Sequence, residues 1–158
     1  MTVKDPGMLH RLFLVLFTLT QFAWAGPLHD AAAGGNLDKV KEMVEIQKMK
    51  VDSWDGYGVT PLHRAASAGY NDLVVFFLTT YGIEDITDQG TTPLMKAAAN
   101  GRGSTVKLLL ERGADRTRRN KQGKAALDLA RANGDPTTIK LLSPKPQVAS
   151  QTKSELMG

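Results

Sequence analysis

The chain has 158 residues, of which 42% are hydrophobic, so it is long enough for one compact domain but short for two. It contains 20 Lys and Arg and 16 Asp and Glu, and this net charge of +4 is only weak support for nucleic-acid binding. The absence of cysteine from the sequence excludes disulfides, thiolate metal sites and thiol nucleophiles.

Residues 1–25 have the three-part pattern of a secretory signal peptide. Lys4 and Arg11 precede an apolar run over 12–25 that ends in Ala-Trp-Ala, a small-residue pattern that signal peptidase accepts. This run has 14 residues, whereas about 20 are needed to span a bilayer. We therefore expect cleavage before Gly26, a periplasmic or secreted location, and no membrane anchor after cleavage.

Two alternatives remain open for this segment. One is an anchor that is not cleaved. The other concerns the start of translation: Asp5 and Pro6 are unusual in the charged part of a signal peptide, and a start at Met8 would remove both.

One pattern then occurs four times, at intervals of 32 to 34 residues. It is clearest in the Thr-Pro-Leu-His of 60–63 and the Thr-Pro-Leu-Met of 92–95, each followed by two alanines and a glycine. Weaker copies begin near Leu28 and Ala125. A period of this length is typical of stacked helical repeats. The predicted organisation is a signal peptide over 1–25, a repeat domain over 26–142 with units 26–53, 54–86, 87–119 and 120–142, and a flexible tail over 143–158.

Each unit predicts two helices. Thr60 is placed to cap a first helix whose first turn contains Pro61, and Gly69 can end that helix in the left-handed conformation. A second, apolar helix is expected to begin at Asp72, and its counterpart in the next unit covers 104–112.

The first and last units have weaker motifs. The second helix of the first unit is predicted over 37–48, with charged residues around an apolar stripe. In the last unit Ala125 and Ala126 replace Thr-Pro, and Pro136 lies in the first turn of the final helix. Such departures are expected of terminal caps, because their outer faces meet water. The stripe of the first unit consists of Val40, Met43, Val44 and Ile46.

These residues resemble the ankyrin repeat, whose unit is a β-turn, a TPLH motif, a short inner helix, and a longer outer helix ending in Leu-Leu-Leu before Gly-Ala-Asp. The match runs over 28–142 and is strongest at 60–63 and at 108–115, where LLLERGAD is intact. Met95 and Asp128 replace the histidine of the motif. The resemblance implies an all-α solenoid of four repeats, and we expect a monomer with no cofactor.

The sequence gives no sign of catalysis. His29 and His63 occupy the same repeat position, where the ankyrin family uses the imidazole to hydrogen-bond neighbouring turns, and no third metal ligand lies at a suitable spacing. No serine has an accompanying base in a recognisable arrangement, and 56–58 lacks the strand that precedes a phosphate-binding loop. An enzyme is therefore the least expected class.

By the same resemblance, we expect the chain to bind another protein through a concave surface of turn tips and inner helices. Exposed aromatics at a turn tip are typical interface anchors, although Trp54 could instead fold back over the neighbouring turn. The role of the partner stays open among an accessory partner for an exported enzyme, immunity against a toxin, and a secreted effector. The candidate binding residues are Trp54, Tyr57, Val59, Arg64, Ser67, Asp88, Gln89, Lys96, Asn100, Lys121, Gln122 and Lys124.

Two further features each have two interpretations. The basic stretch 112–124 is either an ordinary solvated turn or a surface for an acidic partner, while nucleic acid is disfavoured because no aromatic residues alternate with the charges. The second outer helix carries Val75 and Phe76 beside its expected apolar residues. These extra groups either form a second contact surface or pack against the adjoining outer helices.

Overall fold

The computed structural model describes residues 26–81, 86–87 and 89–144, which contain eight α-helices and no strand. The predicted signal peptide, the predicted tail beyond Pro144, and Asp88 lie outside the described residues. The helices are α1 (Pro27–Ala33), α2 (Leu37–Lys41), α3 (Pro61–Ala68), α4 (Asn71–Tyr81), α5 (Pro93–Ala99), α6 (Gly103–Glu111), α7 (Ala126–Asn133) and α8 (Pro136–Leu142).

The helices follow one another as four pairs. The first members, α1, α3, α5 and α7, each contact the next in a continuous row, and we call them the inner helices. The second members, α2, α4, α6 and α8, are the outer helices; α4 contacts α6, and α6 contacts α8. Because these contacts join each helix pair to the next one along the chain, the predicted all-α solenoid is confirmed.

Proline and short polar side chains set the starts of the helices. Pro61 and Pro93 are the first residues of α3 and α5, where a missing backbone N–H loses no intrahelical bond. The Thr92 hydroxyl accepts the Met95 amide at 3.2 Å. Thr60 occupies the predicted N-cap position, and its hydroxyl is also hydrogen-bonded to His63 at 2.9 Å.

The core depends on small residues in the inner helices. Ala65, Ala66, Ala97 and Ala98 are fully buried, which brings successive inner helices close together. The outer helices contribute larger groups to the same core, including Leu73, Val74, Phe77, Val106 and Leu109. One apolar cluster therefore runs from the first repeat to the last.

Of the two extra apolar residues of α4, Phe76 packs against this core. Phe76 is half-buried and packs against the core with its ring edge-to-face on Phe77, the centroids being 5.5 Å apart. Val75 is also half-buried. These positions favour the packing interpretation of α4 over a second contact surface.

The first outer helix differs from the prediction. Helix α2 ends at Lys41 and continues as a π-helical turn over Glu42–Ile46, so the helical segment is shorter than the expected 37–48. Val40, Met43 and Val44 are buried as predicted, but Ile46 is 76% exposed. The π turn takes up one extra residue, so the apolar register is lost after Val44 and the assignment of Ile46 to the stripe was wrong.

Three further helix boundaries shift by one residue. Helix α4 begins at Asn71, not Asp72, and α6 begins at Gly103 and ends at Glu111, before Arg112. The Thr105 hydroxyl donates to the Asn71 carboxamide at 2.7 Å, so the start of α4 is tied to the next outer helix.

Candidate protein-binding surface

Three equivalent tight turns connect the helix pairs, and we call them finger 1 (55–59), finger 2 (87–91) and finger 3 (120–124). In each finger the first amide donates to the carbonyl of the fifth residue, at 2.9, 3.0 and 3.0 Å. The amide of the fourth residue, a glycine with φ between 65° and 73°, donates to the carbonyl of the first at 2.8–2.9 Å. This left-handed backbone favours glycine, so the fingers share one geometry.

The side chain of the first residue closes each finger. Asp55 accepts the amides of Tyr57 and Val59 at 2.9 and 3.0 Å. Asn120 accepts the amides two and four residues later, both at 3.0 Å, and Thr87 accepts one amide at 3.0 Å. None of these three residues was among the candidates predicted from the sequence, although Asp, Thr and Asn three positions before a glycine are typical of such turns.

Finger 1 is further braced by an ion pair. Arg64 of α3 donates two hydrogen bonds to one Asp55 carboxylate oxygen, one of them from Nε at 2.9 Å. Burial by itself raises the pKa of Asp55, but the hydrogen bonds from Arg64 and from two backbone amides outweigh it and hold the pKa below its ordinary value. The Arg64 guanidinium carbon also lies 5.7 Å from the centroid of the Tyr57 ring.

The two aromatic candidates are exposed beside this ion pair. Tyr57 is 82% exposed and Trp54 is 61% exposed. Trp54 therefore does not fold back over the neighbouring turn. The Asp55 side chain between them is only 4% exposed, so the aromatic residues flank a buried, hydrogen-bonded group.

The prediction that Val59 belongs to the binding surface was wrong, because Val59 is only 6% exposed. Its carbonyl accepts hydrogen bonds from the Asp55 amide and, at 3.0 Å, from His29 Nε2 of α1. These bonds hold the residue against the first repeat. The equivalent residues in the other fingers, Thr91 and Lys124, are half-buried and exposed, so finger position alone does not decide exposure.

The two repeat histidines tie neighbouring turns together, as the resemblance implies. His29 Nε2 lies within hydrogen-bond distance of the Ser53 and Val59 carbonyls, which only accept, so this nitrogen carries the proton. His63 Nε2 likewise donates to the Thr91 carbonyl at 2.9 Å. Burial is the largest cause that lowers the pKa of His29. The histidines are therefore structural.

The remaining candidates fall into two groups. Ser67 lies on α3 and Asn100 is the C-cap residue of α5, and the Asn100 side-chain amide donates to the Ser67 hydroxyl at 3.0 Å. Lys96 of α5 is half-buried. Fingers 2 and 3 are held together by the Lys121 amide, which donates to the Gln89 carbonyl at 2.9 Å. The exposed candidates of these fingers are Gln89, Lys121, Gln122 and Lys124.

The described part of the chain offers no arrangement that points to catalysis. Within it, no group of three or more His, Asp or Glu residues is placed to hold a metal ion. Its buried side-chain nitrogen and oxygen atoms all have hydrogen-bond partners, so none is left for a ligand to satisfy. No helix in the described ranges has both the length and the apolar character to cross a membrane.

A family model described as ankyrin repeats, with three copies, matches residues 14–87 and 69–152. The matched residues make up most of the sequence, so the chain belongs to the ankyrin-repeat family. Ankyrin repeats are protein–protein interaction modules without catalytic activity of their own.

Several curated proteins are similar to parts of the chain. Ankyrin repeat and SAM domain-containing protein 6 of Mus musculus is 38% identical over 97 residues, 60% of this chain and 11% of that protein. The 26S proteasome non-ATPase regulatory subunit 10 of Dictyostelium discoideum is 40% identical over 83 residues, 51% of this chain and 36% of that protein. Ankyrin repeat and SOCS box protein 11 of Homo sapiens is 32% identical over 127 residues, 80% of this chain and 39% of that protein. The chain thus spans well under half the length of each.

Proposed function

We propose that this chain is a non-catalytic module that binds another protein through its finger surface, meaning the three fingers with their flanking residues and the exposed positions of α3, α5 and α7. The observation that carries this proposal is the exposed aromatic pair at finger 1. Trp54 and Tyr57 together offer a large apolar area outside the core, and exposed aromatics of this kind dominate the binding energy of many interfaces.

The distribution of all the exposed large hydrophobic side chains, with Trp54 and Tyr57 included, supports the same surface. Five large hydrophobic side chains are exposed among the described residues, and three of them lie in or beside a finger: Trp54, Tyr57 and Ile86. The remaining two, Ile46 and Tyr70, lie beside outer helices. An apolar partner surface would therefore find most of its contacts on the fingers.

Finger 1 is also ordered before any partner arrives. The Asp55 carboxylate accepts the backbone amides of Tyr57, at the tip, and of Val59, after it, and Arg64 donates to that carboxylate. Ordering a flexible loop on binding reduces affinity, so a turn that is already fixed avoids that loss.

We also propose that the chain is exported. The charged start, the apolar run over 12–25 and the Ala-Trp-Ala end support cleavage before Gly26. N-terminal sequencing of the protein recovered from outside the cytoplasm is expected to begin at Gly26. Recovery of intact residues 1–25 in the membrane fraction would support the uncleaved anchor instead.

Comparative capture tests the binding surface. The wild-type protein, a Trp54→Ala/Tyr57→Ala variant and an Ile46→Ala variant are immobilised and exposed to proteins from the same compartment. Ile46 is a matched control, because it is 76% exposed but lies on the outer side of the first repeat. We expect one protein to be retained by wild type and Ile46→Ala and lost from the double variant.

The identity of the captured protein then separates the possible roles. An enzyme indicates an accessory role, a toxin indicates immunity, and a host protein indicates an effector. Equal capture by all three proteins, with far-UV circular dichroism showing that each is folded, would mean that the finger surface is not the binding site.

A further inference from the structure

The two halves of the repeat domain differ in charge. Residues 26–81 contain 5 Lys and Arg and 7 Asp and Glu, a net charge of −2. Residues 89–144 contain 11 Lys and Arg and only 4 Asp and Glu, a net charge of +7. The acidic residues of the connecting segment, Glu84, Asp85 and Asp88, lie outside the described residues.

Two of the four acidic residues within 89–144 have their partners near the end of α6. Glu111 lies 3.8 Å from Lys107, one helical turn away. Asp115 accepts hydrogen bonds from the Thr117 amide and hydroxyl at 2.8 and 2.7 Å. Arg118 lies near the same carboxylate and donates its backbone amide to it.

The other two are used as helix caps in the last repeat. Asp128 accepts the Ala125 amide at 3.0 Å and lies 3.5 Å from Arg119. Asp135 accepts the Thr138 amide at 2.8 Å at the start of α8. All four carboxylates therefore have internal partners, and these partners include only three of the eleven cations.

Four cations remain exposed along the connection from α6 to finger 3 and along finger 3 itself, without an acidic partner among the described residues: Arg112, Arg116, Lys121 and Lys124. We call these four residues the basic surface. Like charges close in sequence repel one another, so this concentration does not stabilise the fold. An ordinary surface mixes both signs, whereas no acidic side chain among the described residues compensates these four cations.

Part of the basic surface is held in place. Lys121 and Lys124 lie on finger 3, whose backbone is fixed by Asn120, and the Lys121 amide bonds directly to finger 2. The finger therefore presents its two ammonium groups from a fixed backbone, in the manner of a prepared recognition surface.

We infer that the basic surface binds an acidic segment, rich in Asp and Glu, of the protein that the fingers recognise. Carboxylates supply the negative charge that this half lacks. Nucleic acid is the less favourable occupant, because residues 89–144 have no exposed large hydrophobic side chain on which a base could stack. The inference rests on the proposed function in requiring a protein partner, but it names a different part of the surface from the aromatic pair.

A defined probe tests the inference without the natural partner. Fluorescence anisotropy measures binding of a labelled Glu- and Asp-rich peptide to the wild-type protein at low and high salt. We expect binding at low salt that weakens as the Debye length falls from about 10 Å at 0.1 M to about 3 Å at 1 M ionic strength. Lys121→Glu/Lys124→Glu should weaken it about tenfold, because two attractions become two repulsions.

Matched variants test whether the peptide binds at the basic surface or responds only to the net charge of the protein. Lys39→Glu/Lys41→Glu on α2 makes the same change in charge at two exposed lysines of the first repeat, and we expect it to bind the peptide nearly as wild type does. Lys121→Gln/Lys124→Gln removes the two positive charges without adding negative ones. Its affinity for the peptide should therefore lie between that of the wild type and that of Lys121→Glu/Lys124→Glu. Far-UV circular dichroism checks that each variant is folded.

Three results would overturn the inference. These are no peptide binding at low salt, equal loss in the α2 and finger 3 variants, and tighter binding to a single-stranded oligonucleotide of the same net charge. The proposed function fails separately. Suppose that Trp54→Ala/Tyr57→Ala loses a captured partner but Lys121→Glu/Lys124→Glu retains it with equal affinity. The result would then support binding through the finger surface and contradict an acidic segment bound at the basic surface.

Discussion

Residues 26–81 and residues 89–144 are built on the same repeat, yet they present different chemistry to solvent. The first region carries the exposed aromatics Trp54 and Tyr57 and a small net negative charge. The second has no exposed large hydrophobic side chain and a net charge of +7. The contrast occurs at equivalent positions, since the third residue is Tyr57 in finger 1 and Gln122 in finger 3.

The difference shows which positions the stacking of repeats constrains. Small alanines, capping threonines and turn glycines recur in both regions because each repeat must fit its neighbour. The second and third residues of fingers 1 and 3 are exposed and do not enter the core, so their side chains are free to differ. One array can therefore offer an aromatic contact at one end and a charged contact at the other.

The largest expected effect tests whether the two regions share one core. Leu73 of α4 and Leu109 of α6 are almost fully buried, at 0% and 1% exposure. Leu73→Ala and Leu109→Ala should each lower the free energy of unfolding by roughly 2–5 kcal/mol, because each leaves a cavity. Urea titration monitored by circular dichroism should show a single transition for both. An unchanged midpoint for Leu109→Ala would mean that α6 is not packed as described, and two transitions would mean that the regions unfold separately.

The next largest effect is a difference in binding kinetics between variants of the aromatic residues and variants of the basic surface. With a captured partner, Trp54→Ala or Tyr57→Ala should reduce affinity by roughly 2 kcal/mol or more, mainly through faster dissociation. Lys121→Glu/Lys124→Glu should mainly slow association and reduce its salt dependence, because exposed charges act before contact. Surface plasmon resonance at two salt concentrations distinguishes these outcomes. If the aromatic variants keep the wild-type dissociation rate, the role assigned to finger 1 is wrong.

A smaller effect compares the two finger turns. Asp55→Ala removes the acceptor of two backbone amides and of the Arg64 guanidinium. It should lower the free energy of unfolding by about 1–3 kcal/mol. Asn120→Ala removes two similar bonds in the exposed finger 3, where water can replace them, and should cost about 1 kcal/mol. Thermal melts of both variants give the comparison. If both variants lose the same stability, the ion pair between Asp55 and Arg64 adds nothing to the stability of finger 1.

The smallest expected effect is a pH dependence in the first region. Burial lowers the pKa of His29 below its ordinary 6.5, so the unfolded chain binds more protons than the folded chain near that pH. The contribution of His29 to stability is therefore complete above about pH 6.5 and falls as the pH drops through the lowered pKa. His29→Gln should make the melting temperature less sensitive to pH between about 7.5 and 5.5. An identical pH profile in wild type and variant would contradict the neutral, buried state of His29.

The sequence by itself determined the repeat and its helices. Helix starts and ends depend on residues a few positions apart, and here prolines, Gly69 and the alanine pairs predicted the helix pairs, with boundaries within one residue for α4 and α6 but not for the end of α2. The roles of His29 and His63 followed from their repeat position. The exposure of Tyr57 was expected because it lies at a turn tip, whereas the sequence left open whether Trp54 would fold back over the neighbouring turn.

Only the tertiary structure decided which turn residues face solvent. Val59 points inward because its carbonyl meets His29, 30 positions earlier in the chain, and Ile46 points outward because a π turn shifts the register. The bracing of finger 1 likewise depends on Arg64, which comes from the following helix. These outcomes depend on contacts between elements and on the geometry of one helical turn, whereas sequence periodicity reports only the face that a regular element presents.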